Sequence, residues 1–101
     1  MSHYYCLVRK DISLADQICQ VSHASLEAGK RFKHDEGCNL VLLGVQDQSE
    51  LLQVMQMISQ NSIGYFCHVE PDDDIGPAAI CTQPVTKMQR NLFAGYRLWR
   101  P

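Results

Sequence analysis

The sequence predicts an α/β fold: a three-layer α/β/α domain on a four-stranded mixed sheet, with elements in the order βαβαββα. Short apolar runs of strand length occur at residues 4–9, 40–45, 65–69 and 78–82. The intervals joining the first three runs carry apolar residues at helical spacing, so those strands are expected to be parallel. The link from the third run to the fourth is a short acidic loop without helical pattern, which makes the sheet mixed.

Residues 4–9 form strand one. Ser13 is a helix cap with Asp16 in the first turn, and the helix runs to about residue 33. Leu14, Ile18, Val21, Ser25, Ala28 and Phe32 recur at helical spacing and are assigned to its inner face, with Asp16, Gln20, His23, Glu27 and Lys30 opposite. Residues 34–37 break the helix. Residues 40–45 are nearly all apolar, as a central strand buried on both faces would be. Asp47 or Ser49 caps a second helix that turns Leu51, Leu52, Val54, Met55 and Ile58 inward. Strands three and four come next. Thr86 and Gln89 form a capping box for a last helix over 86–94, and residues 96–99 are a tail able to pair or pack. Residues 1–101 read as one domain, without repeats or low-complexity sequence.

Composition narrows the function classes. The chain is 46% hydrophobic and 20% charged, as soluble globular domains are. Neither a membrane-spanning run nor a secretory leader is recognisable, so no membrane partner is expected. Five cysteines without a Cys-x-x-Cys pair argue against a zinc knuckle and for buried thiols in a reducing cytoplasm. The net charge of −2 argues against indiscriminate nucleic-acid binding. Its distribution is uneven. All nine Lys and Arg lie in residues 9–33 or 87–100, and residues 34–86 hold eight of the eleven acids and no Lys or Arg. If the chain ends meet, Arg9, Lys10, Lys30, Arg31, Arg97 and Arg100 would form a basic face suited to a phosphate-bearing partner.

The most telling segment is Val8-Arg9-Lys10-Asp11-Ile12, with Gln20-Val21-Ser22-His23-Ala24 shortly after it. It resembles the type II peptidyl-tRNA hydrolase family, in which an apolar strand ends in Arg-x-Asp-Leu and a helix then carries Gln-x-x-His-Ala. The order of elements fits that family across essentially the whole chain. The resemblance implies a compact α/β domain that often forms a homodimer. It also implies hydrolysis, without metal or cofactor, of the ester between a peptide or aminoacyl group and the terminal ribose of tRNA. Ala15-Asp16 stand where the family usually carries Gly-Lys, and Gly76-Pro77-Ala78-Ala79 lacks the two threonines of its late loop. Two alternatives are a catalytically degenerate module that binds RNA or protein, and a hydrolase of a small ester or amide.

Ester hydrolysis requires an activated water and stabilisation of the carbonyl oxyanion. His23, with an ordinary pKa near 6.5, is suited to accept the proton. Gln20, one turn earlier, is suited to orient water or donate to the oxyanion. Asp11 falls at the sheet edge where open α/β folds bind ligands. The run Asp72, Asp73 and Asp74 offers a carboxylate base, with Asp72 and Asp74 the preferred members. Tyr96 or Trp99 could stack on the bases of the CCA end; packing of this tail is the simpler expectation. No cysteine is recognised beside His23, which sets a Cys–His hydrolase aside.

Overall fold

The computed structural model describes residues 2–71 and 74–101. Strand β1 (His3–Arg9) leads into helix α1 (Leu14–Arg31), strand β2 (Asn39–Val45), helix α2 (Gln48–Gln60) and strands β3 (Tyr65–His68) and β4 (Ala79–Thr82). A 3₁₀ turn (Gln89–Phe93) and strand β5 (Arg97–Leu98) complete the chain. The sheet is mixed as expected but has five strands, in the order β3-β4-β1-β2-β5. The tail pairs antiparallel with β2, Leu43 opposite Leu98 and Gly44 opposite Arg97, which corrects the four-stranded expectation. The last α-helix is also corrected. Its capping box does form, Gln89 N donating to Thr86 Oγ1 at 3.1 Å and Thr86 N to Gln89 Oε1 at 2.9 Å, yet it opens only a short 3₁₀ turn.

β1 runs parallel to β2 and antiparallel to β4, while β3 runs antiparallel to β4. The C-terminal ends of β1, β2 and β3 therefore share one sheet edge. Strand periodicity separates the two faces. Tyr5, Leu7, Leu43, Val45 and Ile80 point to one side and pack with Leu51, Val54 and Ile58 of α2 and with Phe93. Cys6, Val8, Ala79 and Cys81 point to the other, against Ala24 and Ala28 of α1. Asp47 caps α2, its Oδ1 accepting from Glu50 N at 2.9 Å. The expected inner face of α2 holds for Leu51, Val54 and Ile58, whereas Leu52 is exposed. β2 lies nearer the edge than expected and Leu40 is exposed; β1 and β4 are the strands buried on both faces.

Helix α1 departs most from the sequence reading. Ser13 caps it as expected, but its buried residues are Gln17, Gln20, Ala24 and Ala28. Leu14, Ile18 and Leu26 are 50%, 57% and 60% exposed. The inner face is thus turned by roughly one-fifth of a turn from the expected one. The sheet beneath presents Ala79, Cys6 and Cys81. Against such small side chains, close helix–sheet contact favours alanine over leucine. Gln17 is tolerated inside because its amide is used at both ends: Nε2 donates to Ile12 O at 2.9 Å, and Oε1 accepts from Trp99 Nε1 at 2.8 Å.

The buried-thiol expectation holds for Cys6 and Cys81, which face each other across β1 and β4. A hydrogen bond with Cys81, reinforced by burial, pushes the Cys6 thiol well above its ordinary pKa. Cys19, however, is exposed. No helix among the described residues is long and apolar enough to cross a membrane.

Candidate active site

Strand periodicity sends Phe66 toward α1 and Tyr65 and Cys67 toward the opposite core. By the same alternation His68 also faces α1, and Glu70, two residues on, continues that side as the chain leaves the sheet. From α1, His23 meets them. The rings of His23 and His68 stack with centroids 4.5 Å apart and planes 7° apart. His68 Nε2 lies 3.3 Å from Glu70 Oε2. The His68 and Glu70 side chains are 18% and 35% exposed, and His23 is exposed. The cluster is therefore reachable from solvent, with one wall against the protein.

Gln20 sits one turn before His23 but on the buried side of the helix, which corrects its assignment to the polar face. Its Oε1 is buried without a hydrogen-bond partner among the described residues. On the other flank, Glu27 lies one turn after His23. It meets Lys30 Nζ at 3.5 Å and Arg31 Nε at 3.8 Å, and Arg31 also covers the Phe66 ring at 4.6 Å. A polar stripe thus runs along the α1–β3 side from Glu70 to Arg31.

The remaining expected site residues lie elsewhere. Arg9 is 7% exposed, and its guanidinium is occupied inside the molecule. It binds both Asp11 carboxylate oxygens at 2.9 Å and the carbonyls of Ile75 and Pro77. It is therefore a tie between the end of β1 and the loop before β4, not a free phosphate contact. The Arg9 guanidinium holds the Asp11 carboxyl below its ordinary range, and the pairing likewise raises Arg9. Asp11 precedes the start of α1, whereas His23 lies about 14 Å further along the helix axis, so the two do not form one site. Asp74 is exposed; Asp72 and Asp73 lie outside the described residues.

The chain ends do meet. Lys10 Nζ donates to Arg100 O and sits 5.8 Å over the Trp99 ring. Gly44 permits this crossing, since a Cβ there would lie 2.9 Å from Lys10 Cδ. Lys10, Arg97 and Arg100 line a cavity of about 710 Å³ beside β5. Trp99, bonded to Gln17, and Tyr96, packed on the α2-side core, serve as anchors of the tail. Arg31, in the last turn of α1, covers Phe66 on the β3 side, whereas Lys30 lines a cavity with Val21, Leu26 and Leu40 of β2. The bases thus divide between the tail beside β5 and the C-terminal end of α1, where the sequence suggested one face.

Sequence reasoning singled out His23 but not His68 and Glu70, which the fold brings against it. Their signal is the i, i+2 spacing of a histidine and a carboxylate at a strand end, which places both on one face. It also missed Cys19, which stands one helical turn before His23 on the exposed side; among the described residues no hydrogen bond joins them. No protein-family model matches the chain, and no curated protein matches it.

Proposed function

We propose that the chain hydrolyses the ester linking a peptide or aminoacyl group to the terminal ribose of tRNA, with His68 as general base oriented by Glu70. The observation that carries this reading is the convergence of His23, from the segment resembling peptidyl-tRNA hydrolases, with a histidine already paired to a carboxylate. An ionised carboxylate only accepts hydrogen bonds, so the proton between Glu70 and His68 resides on Nε2. Nδ1 of His68 then carries a lone pair for a water proton. As the water oxygen attacks the ester carbonyl, its proton passes to Nδ1. The ribose oxygen leaves and takes that proton, regenerating neutral His68. His23 holds the ring in place by stacking and can donate to the reacting carbonyl. Asp16 replaces the lysine usual in the resembled family, so base chemistry falls to the histidine pair.

Arg31, two turns further along α1 and over Phe66, is suited to meet a phosphate of the tRNA, in exchange for its contact with Glu27. A tRNA substrate places the reaction in the cytoplasm. A homodimer, if formed, has the exposed Leu14, Ile18 and Leu26 stripe of α1 as its natural contact.

Incubation of the purified chain with peptidyl-tRNA and with a small activated ester tests the reading. Peptide release that falls at least a hundredfold in His68→Ala is the expected result. Absence of release at micromolar enzyme would overturn it. Salt-dependent tRNA binding without turnover would instead indicate a binding module, and cleavage of the small ester alone a small-molecule hydrolase.

A further inference from the structure

We propose that His23, His68 and Glu70 also form a binding site for a borderline divalent transition-metal ion, with Zn²⁺ the best-matched ion. One ligand atom from each of the three residues already lies within 4.8 Å of the others. Tetrahedral zinc with bonds of about 2.0–2.1 Å places its ligand atoms roughly 3.3 Å apart. His68 Nε2 and Glu70 Oε2 stand at 3.3 Å, so this pair has the required separation before any movement. An ion replaces the proton they share, and Zn²⁺ binding releases that proton to solvent.

His23 must move. Its ring lies parallel to that of His68, and a lone pair in one of two parallel planes cannot point at an atom in the other. His23 is exposed, so its ring has solvent into which to turn out of the stack. The three donors come from two elements fixed by the fold, α1 and the end of β3. Water completes the coordination from the open side, as in zinc sites with three protein ligands. Two imidazoles and one carboxylate favour Zn²⁺, Ni²⁺ and Cu²⁺ over Mg²⁺ and Ca²⁺, which prefer oxygen-only surroundings.

The consequence for activity rests on the proposed function. Bound Zn²⁺ occupies the histidine pair and breaks the His68–Glu70 hydrogen bond that orients the base, so the ion inhibits the hydrolysis.

Calorimetric titration of the whole chain with Zn²⁺ alone, under reducing conditions, tests the site without reference to turnover. One ion per chain is expected, with a raised melting temperature, proton release, and no comparable heat from Mg²⁺. His23→Ala, His68→Ala and Glu70→Gln should each weaken binding at least tenfold, whereas His34→Ala and Cys19→Ser should not. Circular dichroism confirms that each variant is folded, and Glu70→Gln keeps shape while removing the charge. Binding that survives His68→Ala and Glu70→Gln, or that is lost in Cys19→Ser, would overturn the proposal, as would absence of binding. Zinc binding without hydrolysis leaves the metal site standing and removes the hydrolase reading; hydrolysis without zinc binding does the opposite.

Discussion

The two faces of the sheet are built differently. On the α2 side Leu51, Val54 and Ile58 meet Tyr5, Leu7, Leu43, Val45 and Ile80, a largely apolar core in which the helix residues are inaccessible to solvent. On the α1 side the helix offers Ala24 and Ala28 to equally small partners and buries Gln17 and Gln20 among them. Its more apolar stripe, Leu14, Ile18 and Leu26, faces outward. Large apolar burial supplies stability at roughly 25 cal/mol per Å², and the α2 face has most of it. The α1 face accepts polar groups at some cost and brings His23 against His68. The chain thus separates the side with most of its apolar burial from the side that carries the candidate site.

This division of labour can be disturbed from either side. The largest effect is expected at the α2 core. Ile58→Ala removes a fully buried side chain from close packing and should lower unfolding free energy by about 3–4 kcal/mol, read from urea denaturation. Rates per folded molecule should be almost unchanged. His68→Ala should do the reverse, losing peptide release by about 10²–10⁴-fold with a change of no more than about 1 kcal/mol in stability.

The Arg9–Asp11 tie adds a pH dependence that belongs to stability alone. Asp11 has a folded-state pKa below its unfolded value, so its contribution to stability is present above about pH 4. That contribution is lost as pH falls through the lower, folded value. Asp11→Asn should therefore reduce stability at neutral pH and flatten its acid dependence. The side chain is 37% exposed, so solvent screening keeps the effect modest. An unchanged acid limb in Asp11→Asn would show that the tie stabilises nothing.

The smaller effects lie on α1. Gln20→Met replaces a buried amide whose Oε1 has no partner among the described residues, and should be neutral or stabilising by up to about 1 kcal/mol. If it instead costs more than about 2 kcal/mol, the amide is satisfied in solution by water. Ile18→Gln alters an exposed position and should shift stability by no more than about 0.5 kcal/mol. A larger loss would mean that the outward stripe is covered by another chain.

Much of this architecture was legible in the sequence. Ser13, Asp47 and the Thr86–Gln89 box cap as their chemistry requires, and four strands arise from apolar runs bounded by polar turns. The phase of α1 was not legible, because the rule that the most apolar stripe faces inward fails where Ala24 and Ala28 pack closely on Ala79, Cys6 and Cys81. β5 was not legible as a strand, since two exposed residues carry no period and the contacts that hold the tail, Trp99 on Gln17 and Tyr96 on the core, are distant in sequence. Only part of the site was readable for the same reason. His23 stood out in its motif, but its partner depended on the rotation of α1 over β3. His68 and Glu70 share a face by strand spacing, yet nothing local in the sequence says that His23 is what they face.

The proposed function puts the chemistry on the α1 face, at His68 with Glu70 and His23, away from the core that stabilises the fold. Peptide release from peptidyl-tRNA, measured per folded molecule in wild type, Ile58→Ala and His68→Ala at a temperature where all three are folded, decides between the two locations. Wild-type-like release is expected in Ile58→Ala and at least a hundredfold loss in His68→Ala. Equal release in wild type and His68→Ala, or no release by the wild-type chain, would contradict this assignment.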